Sequence, residues 1–566
     1  MGNEGSESDQ IINSGYIDCL VCVLIILLTN GMLYMKRGVM SMSNIKLLDC
    51  TLRDGGYIND WNFGFHTTKD LIRKLVDSQV DYVEVGFLRN CVYDKDYSLY
   101  NNCHEMEPIL PAPDKRGKTK FTAMALHNKY DITKLEPYDG KTIDAIRVTF
   151  HDYDIDEGLA FIENAKQKGY KVFCNPINIM GYTDEMILKL LQKVNRIQPY
   201  AFSIVDTFGS MMKSDLQRIY SLVEHNLDKS IVIGLHLHEN LALSYSLAQE
   251  FVSIKAAERQ AVIDGSMLGM GRVPGNLCLE LIMDYMNRNQ GGLYDVNPVL
   301  DGIDDYIVQL KKIEPWGYNT AYALSAKYNL HRNYAEFLLE KGRLRAKQIN
   351  QILGSIEDSK KTAYDESYIE QLYENYQNHE VDDGVVLEEL KEEWKNKEIL
   401  ILAPGATITE RKSEIDQFVE EHRPLIIAAN FIPEQYDCDY VFCSNAMRYS
   451  AMEEKVDRKK LLITSNLMDV CEKARILNYA ELCFDDKGKC DNCVIMLIKL
   501  LIRLGITEVT VAGFDGYRSE KCNYASSYMA SQHTKGLQEN IKNTGYVSDI
   551  RKKIEIHFLT PSLYNR

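Results

Sequence analysis

Positive charge is what this chain is short of. Its 65 lysines and arginines face 81 aspartates and glutamates, a formal net charge of −16. A surface with that balance repels phosphate backbones, so nucleic acid is excluded as a partner. Proline is also scarce, at 13 residues, and the 34 glycines show no period, which excludes collagen-like and proline-rich architectures. Cys490-Asp-Asn-Cys493 has no second pair at zinc-ribbon distance and no histidines nearby, so it reads as two packed thiols rather than a structural zinc site. The 14 cysteines follow no regular spacing, the pattern of reduced thiols in a cytoplasmic protein. What remains is ordinary for a folded chain: 45% hydrophobic and 26% charged residues. At roughly 100–200 residues per domain, 566 residues make three or four units, or fewer if one is a large barrel.

Long apolar runs are absent but for one, Cys19–Met35, broken only by Thr29, Asn30 and Gly31. Seventeen residues is the lower edge for a spanning helix, and Lys36–Arg37 follow it, which would hold the rest of the chain in the cytoplasm. Read so, residues 1–41 are a single N-terminal membrane anchor. The alternative is a leader that is not translated, with the chain starting at Met40 or Met42. Either reading leaves the active site in the cytoplasm.

From residue 42 to about 290 the sequence alternates short β-rich runs with helical periodicity. The runs are Ile45–Asp49, Tyr82–Phe87, Lys120–Ala125, Ala145–Phe150, Lys171–Asn175, Ala201–Asp206, Ile231–Leu235 and Ala261–Asp264. Strands buried on both faces read as continuous apolar runs, and repeated β-then-α order requires parallel pairing. Eight such units in about 250 residues predict a (β/α)8 TIM barrel. The competing open sheet would more often show six strands and a glycine-rich first turn, which is missing.

Barrel chemistry sits at the C-terminal strand ends. Strand one ends Thr51-Leu-Arg53-Asp54-Gly-Gly-Tyr57, strand two holds Glu84-Val-Gly86, strand six ends Asp206-Thr-Phe-Gly209 and strand seven ends His236-Leu-His238-Glu-Asn240. The last is followed by Gly269-Met-Gly271-Arg272-Val-Pro-Gly275-Asn276. His236 and His238 are two apart, so a strand puts both imidazoles on one face. With a carboxylate from across the mouth, Asp54 for choice, they make a three-ligand site open to a substrate. Arg53 beside it suits a carboxylate or a developing enolate oxygen. It is equally suited to a salt bridge with Glu84.

Over residues 44–290 these motifs resemble the metal-dependent HMG-CoA-lyase-like, or pyruvate-carboxyltransferase, TIM-barrel superfamily. The resemblance implies a divalent metal, Mn2+ or Mg2+ for preference, and a C–C bond cleaved or formed through a metal-bound enolate. It implies Asp54, His236 and His238 as metal ligands, Asn276 as a fourth, and Arg53 as the enolate-stabilising residue. The His-x-His-x-Asn-Leu run, His236 to Leu241, is similar to the 4-hydroxy-2-oxovalerate aldolases. Those enzymes place an acid/base histidine three residues after the aspartate, where this chain has Tyr57; a phenol is the poorer base. His151 and Tyr182 are alternative proton carriers. Glu84, Asp206, Asn240, Gly271 and Arg272 are expected to contact substrate. The implied reaction converts a 4-hydroxy-2-oxo acid to pyruvate and an aldehyde, or the reverse. The alternatives are condensation of an acyl-CoA with a 2-oxo acid, and a degenerate barrel serving as a scaffold.

Residues 291–395 read as a charged helical extension; the resemblance to the aldolases implies that Trp316-Gly-Tyr318 and the paired tyrosines help close the site or dock a partner dehydrogenase, and a homo-oligomer is a separate expectation. Residues 396–566 read as a second α/β unit, doubly wound and Rossmann-like. A Pro404-Gly405 turn after its first strand, with Asn430 and Asp515 at later strand ends, marks where a nucleotide or sugar ligand would sit. This stretch resembles the Rossmann-like module of bacterial sialyltransferases and of proteins related to the pterin pyrophosphokinases.

Overall fold

The computed structural model describes residues 44–291, 294–469, 471, 474–484, 490–518, 523–525 and 536–565; the apolar run at Cys19–Met35 and the alternative starts lie outside them. No helix among the described residues is long and apolar enough to cross a membrane. The chain divides into two compact units, one ending at Tyr318 and one beginning at Asn319, a boundary inside the stretch read as a helical extension.

In the first unit eight parallel strands run β1 Ile45–Asp49, β2 Tyr82–Leu88, β3 Lys120–Leu126, β4 Ala145–Phe150, β5 Lys171–Pro176, β6 Ala201–Asp206, β7 Val232–Leu237 and β8 Ala261–Gly265. Each pairs with its sequence neighbour, and β1 pairs with both β2 and β8, so the sheet closes into the expected TIM barrel. A two-residue strand, Leu99–Tyr100, runs beside β2 and was not visible in the sequence pattern.

Outer helices follow β1 and β4–β8. Phe65–Asp77 shows why: Thr68, Leu71, Ile72 and Leu75 recur at three- and four-residue spacing and are buried, together with Lys74. Each of its apolar core residues contributes about 1.5–3 kcal/mol on burial. The returns after β2 and β3 instead use 3-10 turns at His104–Ile109, Pro113–Lys115 and Ile132–Lys134. Pro108, Pro111 and Pro113 remove backbone donors from the first return, which cannot run as an α-helix.

The barrel interior is layered by the period of two. Leu48, Tyr82, Ala145, Phe173, Ala201, Val232 and Val262 plug its lower half. Two residues further along the same inward faces come Glu84, Arg147, Asn175, Ser203 and Asp264, all buried. The core thus turns from apolar to charged just below the mouth. After the barrel the chain continues through Asn297–Ile313 to Trp316, whose indole Nε1 donates to the Leu268 carbonyl at 3.0 Å.

The second unit opens with helices at Thr320–Lys327, Asn333–Glu340, Ala346–Gly354, Glu366–Gln377 and Gly384–Glu393. Seven parallel strands follow: β9 Ile399–Leu402, β10 Leu425–Ala429, β11 Tyr440–Cys443, β12 Leu461–Thr464, β13 Arg475–Leu477, β14 Glu508–Ala512 and β15 Glu555–Phe558. Their spatial order is β13-β12-β11-β10-β9-β14-β15. Ile399 and Ile401 join one hydrophobic cluster while Leu400 and Leu402 join another, so the sheet is covered on both faces, as a doubly wound sheet must be. The order reverses between β9 and β14, where such folds bind ligands.

Candidate metal centre and barrel mouth

Asp54 sits on the tight turn that follows β1, and His236 and His238 at the end of β7. The structure brings the three together: the Asp54 Oδ2 lies 3.2 Å from His236 Nε2 and 3.9 Å from His238 Nε2. One donor atom from each lies within 4.8 Å of the other two, and all three residues are buried. Each imidazole is aimed by its other nitrogen. His236 Nδ1 is 2.9 Å from the Asp264 carboxylate, and His238 Nδ1 is 2.9 Å from the Asp206 carbonyl. Both Nδ1 atoms then carry a proton, and both Nε2 atoms face Asp54.

Electrostatics agree with that arrangement. Burial opposes ionisation of Asp54, but Arg53 and the two imidazoles hold its carboxyl well below the usual range. Burial pulls His238 down to about 4, so it is a neutral imidazole. His236 is raised in spite of burial, because Asp264 and Asp54 both favour its proton. An anionic oxygen with two imidazole nitrogens is the donor set of a borderline or hard divalent cation. Asn276 adds an observation of its own: its Oδ1 is buried and meets no donor among the described residues, while its Nδ2 is held by the Met270 carbonyl at 3.3 Å. The residues fit a metal ion, with Asn276 able to supply a fourth oxygen.

Arg53 donates from Nη1 to Asp54 at 2.6 Å and from Nε to Glu84 Oε2 at 2.8 Å. Beneath it lies a pair that the sequence reading did not single out. Arg147 donates to Glu84 at 3.0 Å and is paired with Asp264, which in turn holds His236. A charged residue in the middle of the strand Ala-Ile-Arg147-Val-Thr-Phe was the available signal, since unpaired charge is not buried.

The residues expected to contact substrate divide. Glu84 lies fully buried and accepts from both Arg53 and Arg147. The Asp206 carboxylate accepts from the Ser210 and Met211 amides at 2.9 and 3.1 Å, and burial pushes it up to about 7. Asn240 is buried against Gly209, where an added Cβ would lie 2.4 Å from its Oδ1. Gly271 leaves room for Asn276: a Cβ there would lie 2.3 Å from Nδ2. These four shape the walls. Arg272 reaches further, its amide donating to Asp54 Oδ1 at 3.3 Å and its guanidinium lying 5.6 Å from the centre of the Tyr57 ring. Tyr57 is on the rim, 42% exposed. His151 stacks on Tyr153, and burial raises the Tyr182 hydroxyl, which makes it a poor base.

In the second unit Gly405 and Asp515 lie on either side of the strand-order reversal, but their polar groups are used within the fold. The Gly405 amide donates to the Gly513 carbonyl at 2.9 Å, and a Cβ on Gly405 would lie 2.2 Å from that oxygen. Asp515 accepts from the Thr407 amide at 2.9 Å and from its hydroxyl. Asn430 adopts a left-handed conformation and accepts from the Ser444 amide at 3.0 Å. Cys490 and Cys493 are free, buried thiols.

Residues 146–306 match the HMGL-like family model. A 4-hydroxy-2-oxovalerate aldolase of Marinomonas sp. (strain MWYL1) is 24% identical over 276 residues, covering 47% of this chain and 77% of that enzyme. An oxaloacetate decarboxylase of Mycobacterium tuberculosis is 21% identical over 277 residues, covering 48% and 80%. Among solved structures, the N-terminal domain of a Bacteroides vulgatus protein described as an aldolase candidate aligns with a TM-score of 0.44 at 25% identity, covering 52% of this chain and 96% of that one. By the family match, these relatives and its closed parallel barrel, the first unit of this chain is similar to the HMGL-like superfamily.

Proposed function

We propose that the barrel is a metal-dependent carbon–carbon lyase that cleaves a 4-hydroxy-2-oxo acid to pyruvate and an aldehyde. The observation that carries this is the buried Asp54–His236–His238 cluster with Arg53 bonded to its carboxylate. A bound divalent ion, Mn2+ or Mg2+, would polarise the 2-oxo and carboxylate oxygens of the substrate. Arg53 uses Nε and Nη1 on Glu84 and Asp54, which leaves Nη2 to donate to an enolate oxygen. Tyr57, on the rim three residues from Asp54, is the group placed to accept the proton of the 4-hydroxyl. As that proton leaves, C3–C4 breaks, its electron pair enters the enolate, and the enolate takes a proton at C3. Arg272, held by its amide at Asp54, contacts the substrate end that departs.

One feature favours a second reaction at the same centre. A 2-oxo acid with a carboxylate on C3 loses carbon dioxide without any hydroxyl base, and Tyr57 stands where the similar aldolases have a histidine. The M. tuberculosis relative carries the name oxaloacetate decarboxylase. In the second unit, the reversal of strand order supports a nucleotide or sugar ligand near Gly405, Asn430 and Asp515.

The experiment is metal analysis of the purified chain, followed by pyruvate release from 4-hydroxy-2-oxo acids of graded length and from oxaloacetate. Stoichiometric metal, lost in D54A/H236A, with pyruvate from the hydroxy acids is the expected result. Metal retained in the double variant overturns the centre. Pyruvate from oxaloacetate alone selects the decarboxylase reading.

A further inference from the structure

Three aromatic rings meet beside Asp54, and each carries a guanidinium. Tyr57 and Trp61 stand 4.8 Å apart, and Phe87 lies 6.4 Å from the first and 5.6 Å from the second, all edge to face. Arg272 lies 5.6 Å from the Tyr57 ring centre, Arg89 5.8 Å from that of Trp61 and Arg53 5.9 Å from that of Phe87. The contributing segments follow β1, β2 and β8, three adjacent strands whose C-terminal ends form one side of the mouth. Arg53 is buried at the metal centre, whereas Arg89 and Arg272 are half-buried and Tyr57 is exposed.

Two features say that this rim is built. Asp60 and Trp61 are consecutive residues in the left-handed region, at φ 52 and 61, a costly backbone for a large side chain. That backbone delivers the indole to Tyr57, and its Nε1 is pinned to the Arg53 carbonyl at 2.8 Å. In addition, no carboxylate among the described residues pairs with Arg89, although the chain carries 16 more acidic than basic groups. The guanidinium rests on the indole face with donors to spare, and arginine on an aromatic surface is suited to planar or multidentate anions.

We infer that the rim formed by Arg89 and Arg272 over Tyr57 and Trp61 binds a second anionic group of the substrate, a carboxylate or a phosphate at the end remote from the metal. This rests on the lyase reading for the remainder of the substrate, but the rim itself is testable without turnover. An aliphatic aldehyde would leave Arg89 facing water. An acidic or phosphorylated one would bring the counter-charge that no described residue supplies to Arg89, and would set the length between the C–C bond and the anion.

The test uses the full chain in two arms. In the first, succinate and inorganic phosphate are titrated while tryptophan fluorescence is followed. A saturable change is expected, weakened at least tenfold in R89Q and lost in W61F, with R89K intermediate as a check that charge and not folding is at issue. A stronger response to phosphate or to succinate identifies the source of the charge. No saturable change with either anion overturns the proposal, whatever the enzyme does. In the second arm, 4-hydroxy-2-oxo acids of equal length ending in methyl, carboxylate or phosphate are compared. The anionic donors should have KM at least tenfold lower, and R89Q should shrink that advantage mainly through KM. Equal KM for all three overturns the rim assignment. Exchange of the pyruvate methyl protons with deuterated solvent shows separately whether the centre supports the enolate on which the lyase reading depends.

Discussion

Replacing Arg147 by methionine is the sharpest probe of how the barrel supports its centre. Two guanidiniums, Arg53 and Arg147, face three carboxylates, Asp54, Glu84 and Asp264, in one buried network. These five groups alone carry one negative charge in excess, and a divalent ion added to them reverses the sign. Methionine preserves most of the volume of Arg147 but leaves Glu84 sharing one guanidinium and Asp264 dependent on His236. Removing one partner of a buried pair costs about 3–5 kcal/mol, because the charge left behind has no water to receive it. At about 2–4 °C per kcal/mol for a unit of this size, the barrel transition should fall by roughly 6–20 °C in a metal-free melt. Saturating Mn2+ should recover part of that loss, since the cation meets the added negative charge. Glutamine at 84 removes one stranded carboxylate, so R147M/E84Q should be less damaged than the sum of the single variants, by about 1–3 kcal/mol. A loss below about 1 kcal/mol in R147M, or strict additivity in the pair, would refute the reasoning.

Three further outcomes follow from the same geometry. D264N should weaken metal binding by about 10–100-fold in competition with a chelator, because it replaces the charged carboxylate that aims His236, 2.9 Å away, by a neutral amide. Asp49 is buried, and burial raises its carboxyl to about 7 even with two bonds from Thr51 opposing. The folded state therefore holds a proton that the unfolded chain releases near pH 4, so Asp49 costs stability increasingly as pH rises from about 4 to 7. D49N should be stabilising by up to about 4 kcal/mol above pH 7 and near neutral at pH 4 in urea melts; a gain that grows toward acid pH contradicts it. In the second unit, D515A should cost about 1–3 kcal/mol, because it strands the buried Thr407 amide, while the Thr407 hydroxyl keeps Thr560 as a partner. T407V removes one of those groups and should cost less.

Much of the barrel was legible because its strands declare themselves locally. Ile45–Asp49, Ala145–Phe150 and Ala201–Asp206 are continuous apolar runs, and all three strands match the pattern residue for residue. Strand β7 reads short at Leu235 but extends to Leu237, because His236 is a polar residue on an inward face and breaks the run. The edge strands were invisible for a related reason. Arg475–Leu477 has three residues, two of them half-exposed, and Glu555–Phe558 alternates charge with apolar side chains, so neither looks like a buried strand. The clustering of Asp54 with His236 and His238 could be argued from strand ends, since closure of a barrel makes strand one a neighbour of strand eight. The Arg147–Glu84–Asp264 layer lies in mid-strand, away from the strand ends where chemistry was sought, and only the charge of Arg147 inside an apolar strand signals it. The helices after β2 and β3 are missing where prolines intervene, which local composition does carry.

The loop from Gly269 to Asn276 brings Arg272 and Asn276 to the centre, and it is fastened from behind. Trp316 donates to the Leu268 carbonyl, and the Gly317 amide donates to the Pro274 carbonyl at 2.9 Å. A barrel defined by its strands and helices ends at Asn289. Its working edge is set some 27 residues later by an indole that belongs to no strand. Cutting the chain after the last barrel helix would retain every strand and all three candidate ligands while releasing the loop that carries the fourth oxygen and the rim arginine. The tail beyond the barrel is thus a latch on the mouth, and changes in it would register as altered grip on substrate rather than as lost fold.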